Sequence, residues 1–506
     1  MRSLAVGIAC GLLVGCTALW GVEAPIVDSD ASSADAPSSP EGAADGTTQG
    51  TDAGKDGAGD ATVGDAPASD GDAGGDVLAP DAGGDAEGGV EASSDSGCGT
   101  VADVADGILV YGANGVDAPS CGTLASPCKT IHYGLAQAVS ATPALSRVYV
   151  ASGVYAEAVT LLPGVTVVGG FDVGSNQWTT TCNAVPHDEV TVAAPTSPAV
   201  IADSIVGSAG LRTLTVRTPG TGSPGETLYG VFARGSNTVV TLTDVAVISG
   251  TGGDGATGAA GDAGAPASGD CDAGDGGPGF PAAGDAGTGP ANDAGEWSSQ
   301  GFAGTTGVPG DPGVSGSPGI ATSGSCASCV TCSSFLGCTT KSAGTSCGSA
   351  GMPGCGGGGG FGGAGGATAG SSVALFVWAA VVNVSGGSLQ AGNGGKGGNG
   401  GPGGAPGPGA PGTEGVDGGE CATLCNSSCQ GAGSMAGPGG AAAPGGSGAS
   451  GGQGGGGVGG SSYAIVQGGA AVVTVGSGTS SSFGSPGGGG VVGGASGTAA
   501  ATLVLP

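Results

Sequence analysis

YGVFARGSNTVVTLTDVAVISGTGGDGATG, residues Tyr229 to Gly258, decides the reading of this chain, because versions of it occur twice more. ALFVWAAVVNVSGGSLQAGNGGKGGNG runs from Ala374 to Gly400, and YAIVQGGAAVVTVGSGTSSSFGSPGGGGV from Tyr463 to Val491. Each copy opens on a short apolar strand, turns on small residues, enters a β-branched strand and ends in glycines. Aligned on Val239-Val240, Val381-Val382 and Val472-Val473, the copies share V-V-x-[LV]. A unit this small cannot bury its own apolar face, so repetition predicts that neighbouring copies stack. The expectation is a solenoid with glycine-rich excursions.

Composition narrows the function. The 506 residues include 121 glycines and only 4% aromatic residues, which confines any apolar core to a few strand-rich islands. Net charge is −31, and nine Lys and Arg residues are too few for a phosphate-tracking surface, so nucleic acid is excluded as a partner.

The chain begins MRSLAVGIACGLLVGCTALW. Its apolar segment is too short to span a bilayer and reads as an export signal. Leu13, Gly15 and Cys16 match the bacterial lipobox. That resemblance implies cleavage after Gly15, diacylglycerol on the Cys16 thiol and attachment to a membrane; the other reading is a plain secretory leader. Several acyl chains would make the anchoring stable. Thr17, where Asp would favour inner-membrane retention, directs the expectation to the outer membrane, as a lipoprotein of the cell surface or the periplasmic face.

From Glu23 to Gly97 there are 14 Asp and 4 Glu against the single Lys55, with no aromatic residue between Trp20 and Tyr111. Such a segment cannot offset the entropy of ordering, and its like charges favour extension. It is expected to be a disordered tether.

Sixteen cysteines suit an oxidising compartment. Without Cys10 and Cys16 fourteen remain as disulfide candidates: Cys98, Cys121, Cys128, Cys182, Cys271, Cys326, Cys329, Cys332, Cys338, Cys347, Cys355, Cys421, Cys425 and Cys429. Cys121 and Cys128 are the expected local pair. The tight spacing of Cys326, Cys329 and Cys332 could also hold zinc, but no histidine lies near, and no metal or other cofactor is assigned.

Thr130 to Val139 shows helical spacing at Ile131, Leu135 and Val139, with Ala138 alongside, and predicts a short helix capping the open end of the stack. Val148 to Val150, Val159 to Leu161 and Val165 to Val167 alternate with period two. Val190 to Val192, Leu214 to Val216 and Val240 to Leu242 recur at offsets of 24 and 26, an interval that suits one circuit of a parallel β-helix.

Pro127-Cys-Lys-Thr-Ile131, Val148-Tyr-Val-Ala-Ser-Gly-Val-Tyr155 with Glu157, and Gly164-Val-Thr-Val-Val-Gly-Gly-Phe171 resemble the opening of pectin-lyase-like right-handed parallel β-helix domains. The chain as a whole looks like the glycine-rich PGRS-type lipoproteins of myxobacteria. The resemblance implies an all-β, right-handed parallel β-helix with an N-terminal capping helix. It divides the chain into a leader over 1–15, a linker over 16–97, a capped β-helix over 98–250, Gly/Cys-rich insertions over 251–370 and 392–460, and further coils over 371–391 and 461–506.

Within the insertions glycine falls at every third residue, as at Gly252, Gly255, Gly258, Gly261 and Gly264. That period matches an extended left-handed helix whose glycine side can approach a neighbour closely. Polyglycine-type packing, disorder and a collagen-like triple helix are the alternatives.

Catalytic motifs do not emerge. The basic residues of the island are Lys129, Arg147, Arg212, Arg217 and Arg234, with Arg212 and Arg217 expected on opposite faces of an extended strand. The arginine pattern of pectate lyases and the carboxylate motifs of the hydrolases are absent. His132 and His187 read as capping or surface residues. Asp188, Glu189 and Asp203 lack the spacing of a designed carboxylate set. The expectation is a non-catalytic scaffold for display, adhesion or coating, with surface glycans or other envelope components as candidate partners. Its rival is a carbohydrate-binding or carbohydrate-active protein, recognisable by Asp, Arg or aromatic residues converging on the strand stack.

Overall fold

A computed structural model describes residues 102, 105–173, 177–181, 186–269, 284–285, 287, 295–328, 345–419 and 437–506. The chain divides into two compact units, Met1–Gly89 and Val90–Pro506, and every described residue lies in the second. The expected leader, the lipidation site with Gly15 and Cys16, and the tether fall outside the described residues, as do Cys98, Cys182, Cys271, Cys329, Cys332, Cys338, Cys421, Cys425 and Cys429.

The described chain is all-β with one short α-helix. In order, its first elements are β1 (Gly107–Val110), α1 (Ile131–Ser140), β2 (Arg147–Ala151), β3 (Gly153–Tyr155), β4 (Val159–Thr160), β5 (Thr166–Val173) and β6 (Trp178–Thr180). Then come β7 (Val190–Ala193), β8 (Val200–Asp203), β9 (Gly207–Arg217), β10 (Leu228–Arg234) and β11 (Thr238–Ile248). Two antiparallel hairpins follow, β12 (Gly295–Ser298) with β13 (Gly301–Gly304) and β14 (Cys326–Ser328) with β15 (Thr345–Cys347). The last strands are β16 (Ser372–Trp378), β17 (Val381–Gln390), β18 (Ser462–Gly468), β19 (Val472–Val475), β20 (Ser480–Ser482) and β21 (Ala499–Val504).

Two sheets built almost wholly from parallel pairs carry the fold. One follows β1-β2-β5-β9-β11-β17-β19, and the other β21-β18-β16-β10-β8-β4. The three repeats lie side by side in the alignment that their sequences indicate: Val239 and Val240 pair with Val381 and Val382, which pair with Val472 and Val473. Alternate residues of both sheets enter one apolar core, where Val240, Leu242, Val247, Val382 and Leu389 are wholly buried. Valine and leucine at period two suit this in β11 and β17, whose strands need mainly one face shielded.

The strands bend at two columns of left-handed residues. Thr213 (φ 55°), Asp244 (φ 50°) and Gly386 (φ 71°) stand opposite one another, as do Ser204 (φ 52°), Gly235 (φ 108°), Ala379 (φ 55°) and Gly469 (φ 60°). Buried Thr238 secures the second column, its hydroxyl accepting the Ile205 N–H at 2.9 Å and donating to the Arg234 carbonyl at 2.8 Å.

These corners correct two sequence expectations. Val192 pairs with Val216 at the expected offset of 24, but Leu214 pairs with Val245 and Leu242 with Leu211, an offset of 31 in place of 26. Arg212 and Arg217 are both exposed while Leu211, Leu214 and Val216 share the core, because the corner at Thr213 restarts the alternation between them.

Helix α1 starts where Thr130 caps it. Its buried stripe is Ile131, Gly134, Leu135 and Ala138, and Val139, assigned to that face from sequence, is 43% exposed. The helix packs on β1, β2 and β4. Gly134 is required there, since a Cβ would lie 2.5 Å from a Val110 methyl.

The glycine segments pack against each other. Six runs, 252–267, 307–322, 351–370, 392–418, 438–460 and 484–490, are bonded through main-chain N–H and C=O groups at every third residue. Gly255, Gly258, Gly261 and Gly264 of run 1 donate to Lys396, Asn399, Pro402 and Ala405 of run 4, and Gly360, Gly363 and Gly366 of run 3 donate to Ala449, Gly452 and Gly455 of run 5. Glycine content follows the neighbours. Run 1 bonds to runs 3 and 4 and has one glycine per triplet from Gly255 to Pro266; run 4 bonds to runs 1, 3, 5 and 6 and reads Gly-Gly-x from Gly394 to Ala405. A Cβ at Gly401 or Gly404 would lie 1.9 or 1.8 Å from a carbonyl oxygen of run 1. The third position of the triplet, Lys396 or Pro402, is exposed.

Candidate functional site

The outer surface of the second sheet carries a feature that the sequence expectations do not include. Outward residues of β10, β16 and β18 build an aromatic ledge of Tyr229, Phe232, Phe376 and Tyr463 with Val373 and Val466. Register explains it: Phe232 lies beside Phe376 and Arg234 beside Trp378. Phe232 and Phe376 stack with ring centres 4.6 Å apart, and Trp378 continues the row 6.3 Å from Phe376. Hairpin β12–β13 lies over the ledge, placing Trp297 parallel to Phe376 at 6.0 Å. The Tyr229 hydroxyl accepts the Phe302 N–H at 2.7 Å, and burial pushes its pKa up to about 12.

A charged pair closes one edge of the ledge. Arg234 forks onto Asp203, with Nε 2.8 Å from Oδ1 and Nη2 2.6 Å from Oδ2, and lies over the Phe232 ring at 5.8 Å. Its Nη1 donates to Gln300 Oε1 at 2.8 Å and to the Ser299 carbonyl, clamping the hairpin tip. The guanidinium holds the Asp203 carboxyl below the ordinary range, and the carboxylate raises Arg234 in turn. Asp, Arg and aromatic residues therefore do converge on the strand stack, but the rings lie against one another and the guanidinium is engaged by this chain's own groups.

The remaining sequence candidates separate. His187 lies in a 3-10 turn beneath the first corner, Nδ1 3.2 Å from Asp244 Oδ1 and Nε2 3.9 Å from Asp188 Oδ1. Asp203 is committed to Arg234, so Asp188, Glu189 and Asp203 form no set. Arg147 pairs with Asp106 at 2.7 Å beside Tyr149. Among the described residues no group of three His, Cys, Asp or Glu side chains could hold a metal.

The opening motif has a structural account. Glu157 accepts the Ile131 and His132 N–H groups at 2.8 and 3.0 Å, placing a carboxylate on the positive end of α1, and Asp117 accepts the Lys129 and Thr130 N–H groups. Tyr155 is buried, donating to the Ala151 carbonyl and accepting the Gly112 N–H; burial raises it to about 12. Cys121 and Cys128 are bonded, and so are Cys326 and Cys347 across β14–β15; Cys355 is also in a disulfide. Among the described residues no helix is long and apolar enough to cross a membrane.

No known protein family, curated protein or solved structure matches the chain.

Proposed function

We propose that this protein is a non-catalytic, lipid-anchored scaffold of the bacterial outer membrane, of the glycine-rich PGRS type, serving display, adhesion or coating. In this reading Cys16 carries the lipid and the acidic segment is the tether. The two parallel sheets are successive faces of a right-handed parallel β-helix, and the glycine runs are a bundle of polyglycine II helices. The observation that carries it is the bundle. Runs leaving distant strands are fastened chiefly through backbone groups, with a few side-chain acceptors such as Asp254 and Asn393, which yields a stiff body whose exposed positions take little part in holding it together. Charged residues with described partners, among them Glu157 at the helix start, Arg234 and Asp203 at the hairpin and Asp254 between glycine runs, bond to this chain's own groups, roles that hold a structure in place.

Metabolic labelling with palmitate tests the anchor: Cys16→Ser should abolish labelling and release the protein, and an unlabelled wild type would overturn it. Protease shaving of intact cells should cut within the linker and leave the Cys16 end with the membrane.

A second reading, carbohydrate binding, is favoured by the row Phe232, Phe376 and Trp378 with Arg234 and Gln300 at its edge. A glycan array separates the two. Binding by the wild type that Trp378→Ala removes supports the glycan reading, and turnover of any bound glycan would refute the non-catalytic assignment.

A further inference from the structure

The two ends of the strand stack are finished differently. At the first, the outer edge of β1 is already bonded to the disulfide-closed loop: Leu109 N donates to Gly122 O, Cys128 N to Leu109 O, and Tyr111 N to Cys128 O. Helix α1 then seals the core with Ile131, Leu135 and Ala138, each 1% exposed or less.

At the other end, among the described residues, β21 pairs with β18 alone, and β19 and β20 with β17 alone. The core is open there. Along one column Leu211, Leu242 and Val384 are 1%, 0% and 2% exposed, and the next residue in register, Val475, is 45% exposed. Along another, Val231, Leu375 and Ile465 are buried and Thr502 is exposed. Val472, Phe483 and Val504 add exposed apolar surface.

Natural sheets guard such edges with charge, proline or a covering element. This one does the reverse. In a chain of net charge −31, no Asp, Glu, Lys, Arg or His occurs from Cys421 to Pro506. β21 reads AAATLV, without proline or charge.

We propose that this end is a docking surface for a second copy of the same end, giving a twofold dimer. Charge selects the occupant. The acidic linker would have to bury carboxylates against an open apolar core, which is costly. A second copy brings a neutral edge of equal length and matching apolar columns. A twofold axis makes β21 meet its counterpart antiparallel, and the contact is self-complementary. Because α1 and the disulfide loop close the opposite end, assembly stops at two.

The test is sedimentation velocity on the full chain carrying Cys16→Ser, from about 1 to 100 µM, with near-ultraviolet circular dichroism as the folding control. The expected result is a monomer–dimer equilibrium, weakened about tenfold or more by Thr502→Lys or Val475→Lys. Val206→Lys, on a residue 76% exposed elsewhere, should leave it unchanged. Should Val475→Lys fail the folding control, Thr502→Lys decides, its side chain being exposed. Amide protection over 499–504 should rise with concentration. A wild type monomeric throughout, open-ended polymers, or equal weakening by Val206→Lys would each overturn the proposal.

Discussion

Gly363→Ala should damage the glycine bundle far more than its size suggests. A Cβ at Gly363 would lie 2.0 Å from the Gly401 carbonyl oxygen and 2.6 Å from its carbon. Run 4 would have to retreat by roughly 1.5 Å to restore an ordinary contact. That retreat stretches the bonds from Gly401 N to Ala364 O and from Gly404 N to Phe361 O, now 2.8 and 2.7 Å. Two main-chain bonds at about 1 kcal/mol each, with about 1 kcal/mol of overpacking, come to about 3 kcal/mol.

Gly446→Ala is the matched control. Its nearest foreign heavy atom is Ser317 O at 3.6 Å, and its φ is not positive, so alanine fits. Both substitutions stiffen the unfolded chain alike, which should leave Gly446→Ala neutral or stabilising by about 0.4–1 kcal/mol. The measurement is the urea midpoint of each variant, with amide exchange at Gly398, Gly401 and Gly404 to locate the opening. A difference below about 1 kcal/mol, or undisturbed exchange at those amides, would refute close packing as the reason for glycine there.

Thr238→Val should cost about 1–3 kcal/mol, because the buried Ile205 N–H loses its acceptor; urea denaturation measures it, and Thr238→Ser should restore most of the loss. Cys121→Ser with Cys128→Ser should cost about 2–3 kcal/mol by freeing a short loop in the unfolded chain, and should speed amide exchange in β1. The hydrogen bonds from Arg234 hold the Asp203 pKa below the ordinary carboxylate value, so its contribution is complete above about pH 4 and vanishes as pH falls through the lowered value. Trp297 fluorescence should report hairpin loosening in that acid window, and Asp203→Asn should loosen the hairpin at neutral pH and flatten the response. Tyr229→Phe should leave the fold intact and weaken the hairpin by about 1 kcal/mol, seen as faster exchange of the Phe302 amide.

The pairing of the repeats was legible because β-branched residues at period two mark the inward face, and Val240, Val382 and Val473 keep that mark in all three copies. The pairing offset of 31 was not, since it depends on corners at Thr213 and Asp244, and Thr213 is a β-branched residue that rarely takes a positive φ. The aromatic ledge left a signal that went unread. TLYGVFA, SVALFVW and SSYAIV are continuous apolar or small runs, the pattern of strands covered on both faces, and Phe232 and Phe376 occupy equivalent positions within them. What covers them, the hairpin with Trp297 and Phe302, lies too far along the chain for any local rule. His187 and Asp244 are likewise brought together across 57 residues by the fold alone.

The protein joins two bodies that hold together by different means. The strand stack follows the usual rule, with valine and leucine columns leaving water. The bundle buries almost no side chains, so its cohesion comes from main-chain hydrogen bonds and close backbone contact, against the larger ordering entropy of glycine. Such a balance favours devices that limit the unfolded chain or fix both ends of a run, and both are present. Run 1 leaves directly from β11, run 4 from β17, and run 5 leads into β18, so register in the stack presets register in the bundle. The disulfide between Cys326 and Cys347 closes the hairpin where run 2 ends and run 3 begins. Changing the stack should therefore unfasten the bundle, whereas a clash inside the bundle, as at Gly363, should leave the strand core intact.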